Sequence, residues 1–279
     1  MKHPPLHHYR LCLPLRSVRL QCLDDEGRSI KNATASGFIV KEKNDLFLYT
    51  CWHVVTGFDM HNIKIPPSYL RRGAIQVMLQ DCQARAPGVT AIGGNQSITI
   101  PLYTEIDGKE VPIWIQEKKD TPNTDLNNIN IKVPAWHDVV KIPLPREVAV
   151  SETQILQEED LYMNSPLIGD KLYVVGYPYG YSSLGTDQPT PVVVTRFLAS
   201  DRIKDRTMHS LLDGPAAPGM SGGPVFVEKD ERLFLTGIYT GLIYPDHVME
   251  RNEKTTALGI YCNMIIWWKS ESAYAITSR

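Results

Sequence analysis

Three features are missing from this sequence of 279 residues, and each absence excludes a class of protein. No charge of one sign dominates, because 29 basic and 31 acidic side chains give a formal net charge of −2, so there is no broad basic surface for nucleic acid or anionic membranes. No apolar run reaches the ~18 residues of a membrane-spanning helix. The N-terminal segment is interrupted by Arg10, Pro14 and Arg16, so it lacks the unbroken run of about 7–15 apolar residues found in a secretory signal.

Cysteines are also too few and too scattered for a cysteine-based scaffold. Their number is odd, their spacings are wide and no CxxC pattern occurs, which argues against a disulfide framework and against a thiolate zinc site. The five are Cys12, Cys22, Cys51, Cys82 and Cys262. Together these absences predict a cytoplasmic protein of a reducing compartment, with no nucleic acid and no membrane among its partners.

Glycine and proline, in contrast, are abundant. The 19 glycines and 20 prolines make about one residue in seven a turn former, which favours short strands joined by turns. About twelve strand-like runs follow one another, beginning with Ser17–Leu23, Ala35–Val40 and Leu46–Cys51. The sequence therefore predicts an all-β fold, with short helices only at Val54–Phe58 and, near the C-terminus, at Asn263–Lys269.

A glycine-rich turn carries the strongest chemical signal. Pro218–Pro224 reads PGMSGGP, and a serine between glycines lies where the backbone can approach a ligand closely. The pattern predicts Ser221 as a nucleophile, with the backbone N–H groups of Gly219 and Ser221 converging on a developing oxyanion. The same letters also fit an ordinary glycine-rich turn, so other residues must decide between the two interpretations.

A serine nucleophile needs a base, and the base needs a carboxylate that orients it. His53 is the candidate base, since it follows the apolar strand in LYTCWHVV; alone it would equally fit a half-buried core histidine. Asp138 opens HDVVKIPLP and is the favoured carboxylate, because the run that follows it is continuously apolar. Asp125, in TDLNNINIKV, is the competing candidate.

The order of these segments resembles the trypsin-like serine proteases. The resemblance rests on SGF followed by a strand and His53, on Asp138 before VVKI, and on PGMSGGPV around Ser221. It runs from about residue 35 to about residue 266 and is greatest to the bacterial high-temperature-requirement branch. Further segments that match in order are Gly169–Gly180, Leu235–Leu242 and Leu258–Met264.

The resemblance implies a fold and a reaction. The fold would be all-β, with two six-stranded antiparallel β-barrels of the chymotrypsin type and a short C-terminal helix. The barrels would span approximately residues 15–150 and 151–266 of a single peptidase unit 1–279, followed by a tail 267–279 and no PDZ module. The reaction would be acyl transfer to Ser221, with His53 as general base, Asp138 as its orienter, and water as the deacylating nucleophile.

Partners and specificity also follow from the resemblance. It implies a protein or peptide substrate, leaves room for a regulatory protein partner, and requires no metal and no organic cofactor. Ala216, Leu242 and Ile243 would line the first specificity pocket and favour a small or medium apolar side chain before the cleaved bond. The backbone of Tyr239, Thr240 and Gly241 would pair with the substrate by strand addition. A basic side chain would fit only if Asp213 or Asp246 turned inward.

Two departures from the family pattern stand out. Met220 precedes the serine where digestive trypsins carry an aspartate, so activation by a freshly cut N-terminus is not supported. His53 and Asp138 are 85 residues apart, which predicts an insertion within residues 59–134.

A trypsin-like pseudoprotease that binds peptides without cutting them is the main alternative, and a non-proteolytic β-barrel binding module is a weaker one. A cysteine protease using Cys51 or Cys262 is disfavoured, since neither lies in a comparable glycine-rich turn.

Overall fold

The computed structural model describes residues 13–58, 70–86, 89–118, 136–161, 166–180, 190–200, 209–214, 217–243 and 259–264. Within these ranges almost every regular element is a β-strand, and the predicted all-β class is confirmed. One α-helix is described, α1 (Trp52–Thr56), together with three 3₁₀ turns at Leu13–Arg16, Glu158–Asp160 and Pro178–Gly180. None of the described helices has the length and apolar character needed to cross a membrane.

The N-terminal half forms one sheet of eight strands and a small separate hairpin. The strands are β1 (Val18–Leu23), β2 (Ser29–Glu42), β3 (Asp45–Thr50), β4 (Ala74–Ala86), β5 (Val89–Pro101), β6 (Tyr103–Ile106), β7 (Lys109–Pro112), β8 (Ile115–Lys118), β9 (Trp136–Pro143) and β10 (Ile155–Leu156). Antiparallel neighbours run in the order β5-β4-β1-β2-β3-β9-β8, while β10 pairs with β2 in parallel and β6 pairs with β7 alone. Alternation along β1 buries Val18, Leu20 and Cys22 in the core, as expected for a strand with one covered face.

The C-terminal half forms a closed six-stranded barrel. Its strands are β11 (Lys171–Gly176), β12 (Val192–Ser200), β13 (His209–Leu212), β14 (Pro224–Lys229), β15 (Arg232–Ile243) and β16 (Gly259–Met264), in the order β11-β12-β13-β16-β15-β14. Met220 is fully buried in the core of this barrel with Leu172, Val225 and Tyr239. An aspartate at position 220 would place a charge among these apolar side chains, so methionine suits the position.

The strand count and the helices differ from the expectation in detail. The N-terminal sheet has eight strands where six were expected, because β8 and β10 extend it beyond the predicted set. The helix near His53 begins at Trp52, two residues before the predicted start, since the chain turns directly after β3. Asn263 and Met264 end β16 where the C-terminal helix was expected to begin, and the rest of that predicted helix lies outside the described residues. The predicted insertion region contains β4 to β8.

Candidate active site

His53 lies on helix α1, directly after β3. The helix has five residues, too few to be stable alone, and it therefore depends on contacts at its ends. Gly57 ends it in the left-handed conformation (φ 80°) and donates its N–H to the carbonyl oxygen of His53 at 2.9 Å. The Arg72 guanidinium donates to the same oxygen at 3.0 Å and also to the carbonyl oxygen of Val54. These bonds fix the backbone that carries the imidazole.

Asp138 holds His53 at two points. It lies on β9 beside β3 and its side chain is buried. Its Oδ1 accepts the backbone N–H of His53 at 3.0 Å, and its Oδ2 lies 2.8 Å from Nδ1 of the His53 ring. A carboxylate so placed favours the tautomer with the proton on Nδ1 and leaves Nε2 free to accept a proton. The structure thus brings His53 and Asp138 together, while Asp125 lies outside the described residues.

The turn that carries Ser221 requires its glycines. Gly219 and Gly222 have φ angles of 93° and 85°, in the left-handed region. A Cβ on Gly219 would lie 2.5 Å from the carbonyl oxygen of Tyr177, and one on Gly222 would overlap Ser36 and Thr50 of the N-terminal sheet. The turn therefore fits against the Tyr177–Gly180 segment only without a side chain at Gly219, and against the N-terminal sheet only without one at Gly222.

A shared acceptor joins the Ser221 turn to the His53 helix. The carbonyl oxygen of Tyr239 accepts the N–H of Gly222 at 2.8 Å and the thiol of Cys51 at 3.4 Å. Cys51 is the residue immediately before helix α1. The Ser221 turn, β15 and the residue that precedes the His53 helix therefore meet at this carbonyl oxygen.

The Ser221 hydroxyl itself makes a long hydrogen bond. Oγ donates to the carbonyl oxygen of Thr240 at 3.4 Å. Over the described ranges no hydrogen bond joins this hydroxyl to His53. Catalytic hydrogen bonds are often long or poorly aligned without substrate and tighten in the complex, so this geometry is compatible with a nucleophile at rest.

Two backbone N–H groups of the turn have no acceptor in the part of the chain that the structure describes, and they belong to Gly219 and Ser221. The carbonyl oxygen of Pro218 accepts the N–H of Tyr179 at 2.6 Å. Because the N–H of a trans peptide points away from its carbonyl oxygen, this bond turns the Gly219 N–H to the opposite side. The turn thus presents two donors of the kind that stabilise an oxyanion.

The structure describes only some of the residues expected to bind substrate. Tyr239 uses its own N–H and C=O within the fold, bonding Gly223 and Gly222, and its side chain is buried in the barrel core. Thr240 and Gly241 follow it on β15, at a register shift between β15 and β16. The side chains of Leu242 and Ile243, and all of Ala216 and Asp246, lie outside what the structure describes. Asp213 is exposed and accepts the Phe197 N–H at 2.9 Å.

One group of potential metal ligands includes the candidate base. One ligand atom from each of Cys51, His53 and Asp138 lies within 4.8 Å of the others. Burial, and then the negative charge of Asp138, raise the pKa of the Cys51 thiol well above its ordinary value of 9.0. Cys51 is therefore a protonated thiol at neutral pH. The same protonation makes Cys51 a poor nucleophile.

Ser36, Arg72 and Tyr179 are contact residues that the sequence did not reveal. Ser36 lies within the strand-like run Ala35–Val40, but its position there does not mark it as a partner of the Ser221 turn. Arg72 and Tyr179 reach the site only through the folded chain, so no local pattern indicates them.

Comparison with known protein families gave a match over most of this chain. The family model of the trypsin-like peptidase domain matches residues 35–235. The chain therefore belongs to the trypsin-like peptidase family, a class of serine protease hydrolases with a chymotrypsin-like all-β fold.

A solved structure of the serine endoprotease from Yersinia pestis is similar to this chain, with a TM-score of 0.47 and 14% sequence identity. The match covers 95% of this chain and 64% of that one, so this chain spans less than two thirds of its length. No curated protein matches the sequence.

Proposed function

We propose that this protein is a serine endopeptidase that cleaves peptide bonds through an acyl-enzyme on Ser221. The observation that carries the proposal is the buried Asp138 carboxylate bonded to both the backbone and the ring of His53, next to a glycine-rich serine turn. An ordinary core histidine needs one partner, whereas this arrangement fixes both the position and the tautomer of the ring.

The proposed reaction begins with proton transfer to Nε2 of His53. Ser221 Oγ attacks the scissile carbonyl carbon while its proton passes to His53, and the resulting imidazolium is stabilised by Asp138. His53 then returns the proton to the leaving amine, and the C–N bond breaks. Water attacks the acyl-enzyme with His53 again acting as base, which releases the acid product and regenerates Ser221.

The oxyanion of each tetrahedral intermediate would lie between the N–H groups of Gly219 and Ser221. Both groups lack an acceptor in the described part of the chain, which supports this assignment. Loss of one such donor typically costs about 3 kcal/mol of transition-state stabilisation. This chemistry uses no metal and no organic cofactor.

Substrate recognition would combine a strand and an apolar pocket. Thr240 and Gly241 are proposed to pair with the substrate backbone by strand addition. Ala216, Leu242 and Ile243 are proposed to line the pocket for the residue before the cleaved bond, favouring a small or medium apolar side chain. The engagement of Asp213 with the Phe197 backbone supports a pocket without a carboxylate.

The remaining expectations are part of the same proposal. The two units, of about residues 15–150 and 151–266, would act as one catalytic unit, closest in type to the bacterial high-temperature-requirement branch. The protein would be cytoplasmic, would act on proteins or peptides, and would be restrained by narrow specificity or by a regulatory protein. Nucleic acid and membranes are not among its proposed partners.

Proteolysis of a quenched fluorescent casein tests the proposal. The wild-type protein should release fluorescence, and Ser221→Ala should reduce the rate to background without changing the melting temperature by more than a few degrees. A peptide library with the residue before the cut varied should show Ala, Val or Leu preferred, and dominance of Arg or Lys would refute the pocket assignment. Peptide binding by wild type without any cleavage would instead establish the pseudoprotease alternative.

A further inference from the structure

Ser36 is a buried serine on β2 whose hydroxyl bonds two loops of the other half of the protein. Its side chain is fully buried. Its Oγ donates to the carbonyl oxygen of Gly219 at 2.8 Å and accepts the N–H of Tyr177 at 3.0 Å. A hydroxyl has one proton to donate and lone pairs to accept, so both bonds use its capacity in the correct sense.

The backbone of Ser36 strengthens the same connection. Its N–H donates to the carbonyl oxygen of Ser221 at 2.9 Å, and its carbonyl oxygen accepts the hydroxyl of Thr50 at 2.9 Å. The carbonyl oxygens of Gly219 and Ser221 are thereby both held by this one residue of the N-terminal sheet. These are the two residues whose N–H groups form the proposed oxyanion hole.

The bond to Tyr177 acts on the oxyanion hole indirectly. Tyr177 begins the short turn that contains Tyr179, and the N–H of Tyr179 holds the carbonyl oxygen of Pro218. Tyr179 has φ 53°, a left-handed conformation that is strained for a non-glycine residue. Since the turn is strained, it needs contacts from elsewhere to keep its shape, and the bond from the Tyr177 N–H to Ser36 is one of them.

The absence of a side chain at Gly176 leaves space for the Ser36 hydroxyl. A Cβ on Gly176 would lie 2.6 Å from Ser36 Oγ, so a larger residue at position 176 would displace the hydroxyl from both of its partners. Gly176 ends β11, immediately before Tyr177. The close approach of these two segments depends on the absence of a side chain there.

We propose that Ser36 is a positioning residue for the oxyanion hole. Its hydroxyl fixes the peptide after Gly219 directly and the peptide before Gly219 through the Tyr177–Gly180 turn, so that the Gly219 N–H faces the substrate carbonyl. The inference rests on the proposed function of Ser221, and it assigns to the N-terminal half a part in catalysis besides carrying the base.

Replacement of Ser36 by alanine tests the proposal. Ser36→Ala should lower kcat on a peptide substrate by about ten- to a hundred-fold, part of the effect of losing an oxyanion donor outright, with KM within about threefold of wild type. The matched control is Ser17→Ala, because Ser17 is equally buried and its Oγ bonds the carbonyl oxygen of Gly37 at 3.2 Å and no group of the Ser221 turn, while its carbonyl oxygen, which accepts the Tyr177 hydroxyl, is kept. The control should keep kcat within about twofold.

Amide hydrogen exchange, measured by NMR, gives a readout that does not depend on activity. In Ser36→Ala the amides of Tyr177 and Tyr179 should exchange at least tenfold faster than in wild type, whereas Ser17→Ala should leave them unchanged. If Ser36→Ala does not fold, Ser36→Cys keeps the shape with a weaker donor and should show the same changes to a smaller degree.

The outcomes separate this inference from the proposed function. Absence of proteolysis by wild type would refute the endopeptidase, and the two amides would then decide whether Ser36 positions the turn. The inference is overturned if these amides exchange as slowly in Ser36→Ala as in wild type. It is also overturned if Ser36→Ala loses no more kcat than Ser17→Ala.

Discussion

Replacement of Asp138 by asparagine tests whether the tautomer of His53 matters, because the imidazole ring itself stays in place. The asparagine amide has nearly the same shape, and its oxygen can still accept the backbone N–H of His53, now bonded to Oδ1 at 3.0 Å. Its NH₂ group would then face Nδ1, where Oδ2 now lies at 2.8 Å. Nδ1 must accept that hydrogen bond, so the ring proton moves to Nε2 and the base can no longer take the proton of Ser221.

The expected cost is large for catalysis and small for folding. A wrong tautomer in a Ser-His-Asp triad lowers kcat by about 10⁴-fold, which corresponds to about 5 kcal/mol of transition-state stabilisation. Exchange of two charge-assisted hydrogen bonds for neutral ones should cost stability no more than about 1.5–3 kcal/mol in total. KM should change little, because His53 and the substrate strand stay in place.

Steady-state hydrolysis of a fluorogenic peptide, with thermal unfolding in parallel, measures both effects. Asp125→Asn is the matched control, since Asp125 is the competing candidate from the sequence, and it should retain kcat within about twofold. A loss of less than tenfold in Asp138→Asn, or an equal loss in Asp125→Asn, would refute the assignment of Asp138.

Two further predictions concern the contacts between the halves. Gly222→Ala should abolish activity and lower the melting temperature by several degrees, because its Cβ would overlap Thr50 and the φ of 85° suits glycine; unchanged activity and melting temperature would contradict the described turn. Burial and Asp138 raise the Cys51 pKa well above 9.0, so the thiol ionises first in the unfolded chain and stability should fall as pH rises above about 9. The free energy of unfolding, measured in urea, should fall between pH 9 and pH 10. This fall should be smaller in Cys51→Ala than in wild type by up to about 1.4 kcal/mol, and equal falls would speak against this burial.

The sequence predicted those parts of the fold that depend on local patterns. The alternation in β1 and the all-β class are both visible in the chain itself. Strands β10 and β13 have two and four residues, so they carry too little pattern to be recognised alone. Pairing with long neighbours, and not their own propensity, makes them strands.

The candidate site also contains residues that a local pattern predicts and residues that it does not. The motifs around Ser221, His53 and Asp138 can be recognised in the sequence because the chemistry restricts the type and order of these residues. Contacts such as that of Ser36 with Gly219, or of Arg72 with His53, join residues that are 183 and 19 positions apart and depend on how the sheets pack. No local pattern specifies such packing, so these residues became visible only in the folded chain.

Covalent labelling with a fluorophosphonate probes the central claim most directly, that the Asp138–His53 pair activates Ser221. Mass spectrometry of the labelled and digested protein should place the adduct on Ser221 in wild type. Labelling should be lost in Ser221→Ala and slowed by orders of magnitude in His53→Ala, because the hydroxyl then lacks its base. An adduct on another residue, or labelling of Ser221 as fast in His53→Ala as in wild type, would contradict the account.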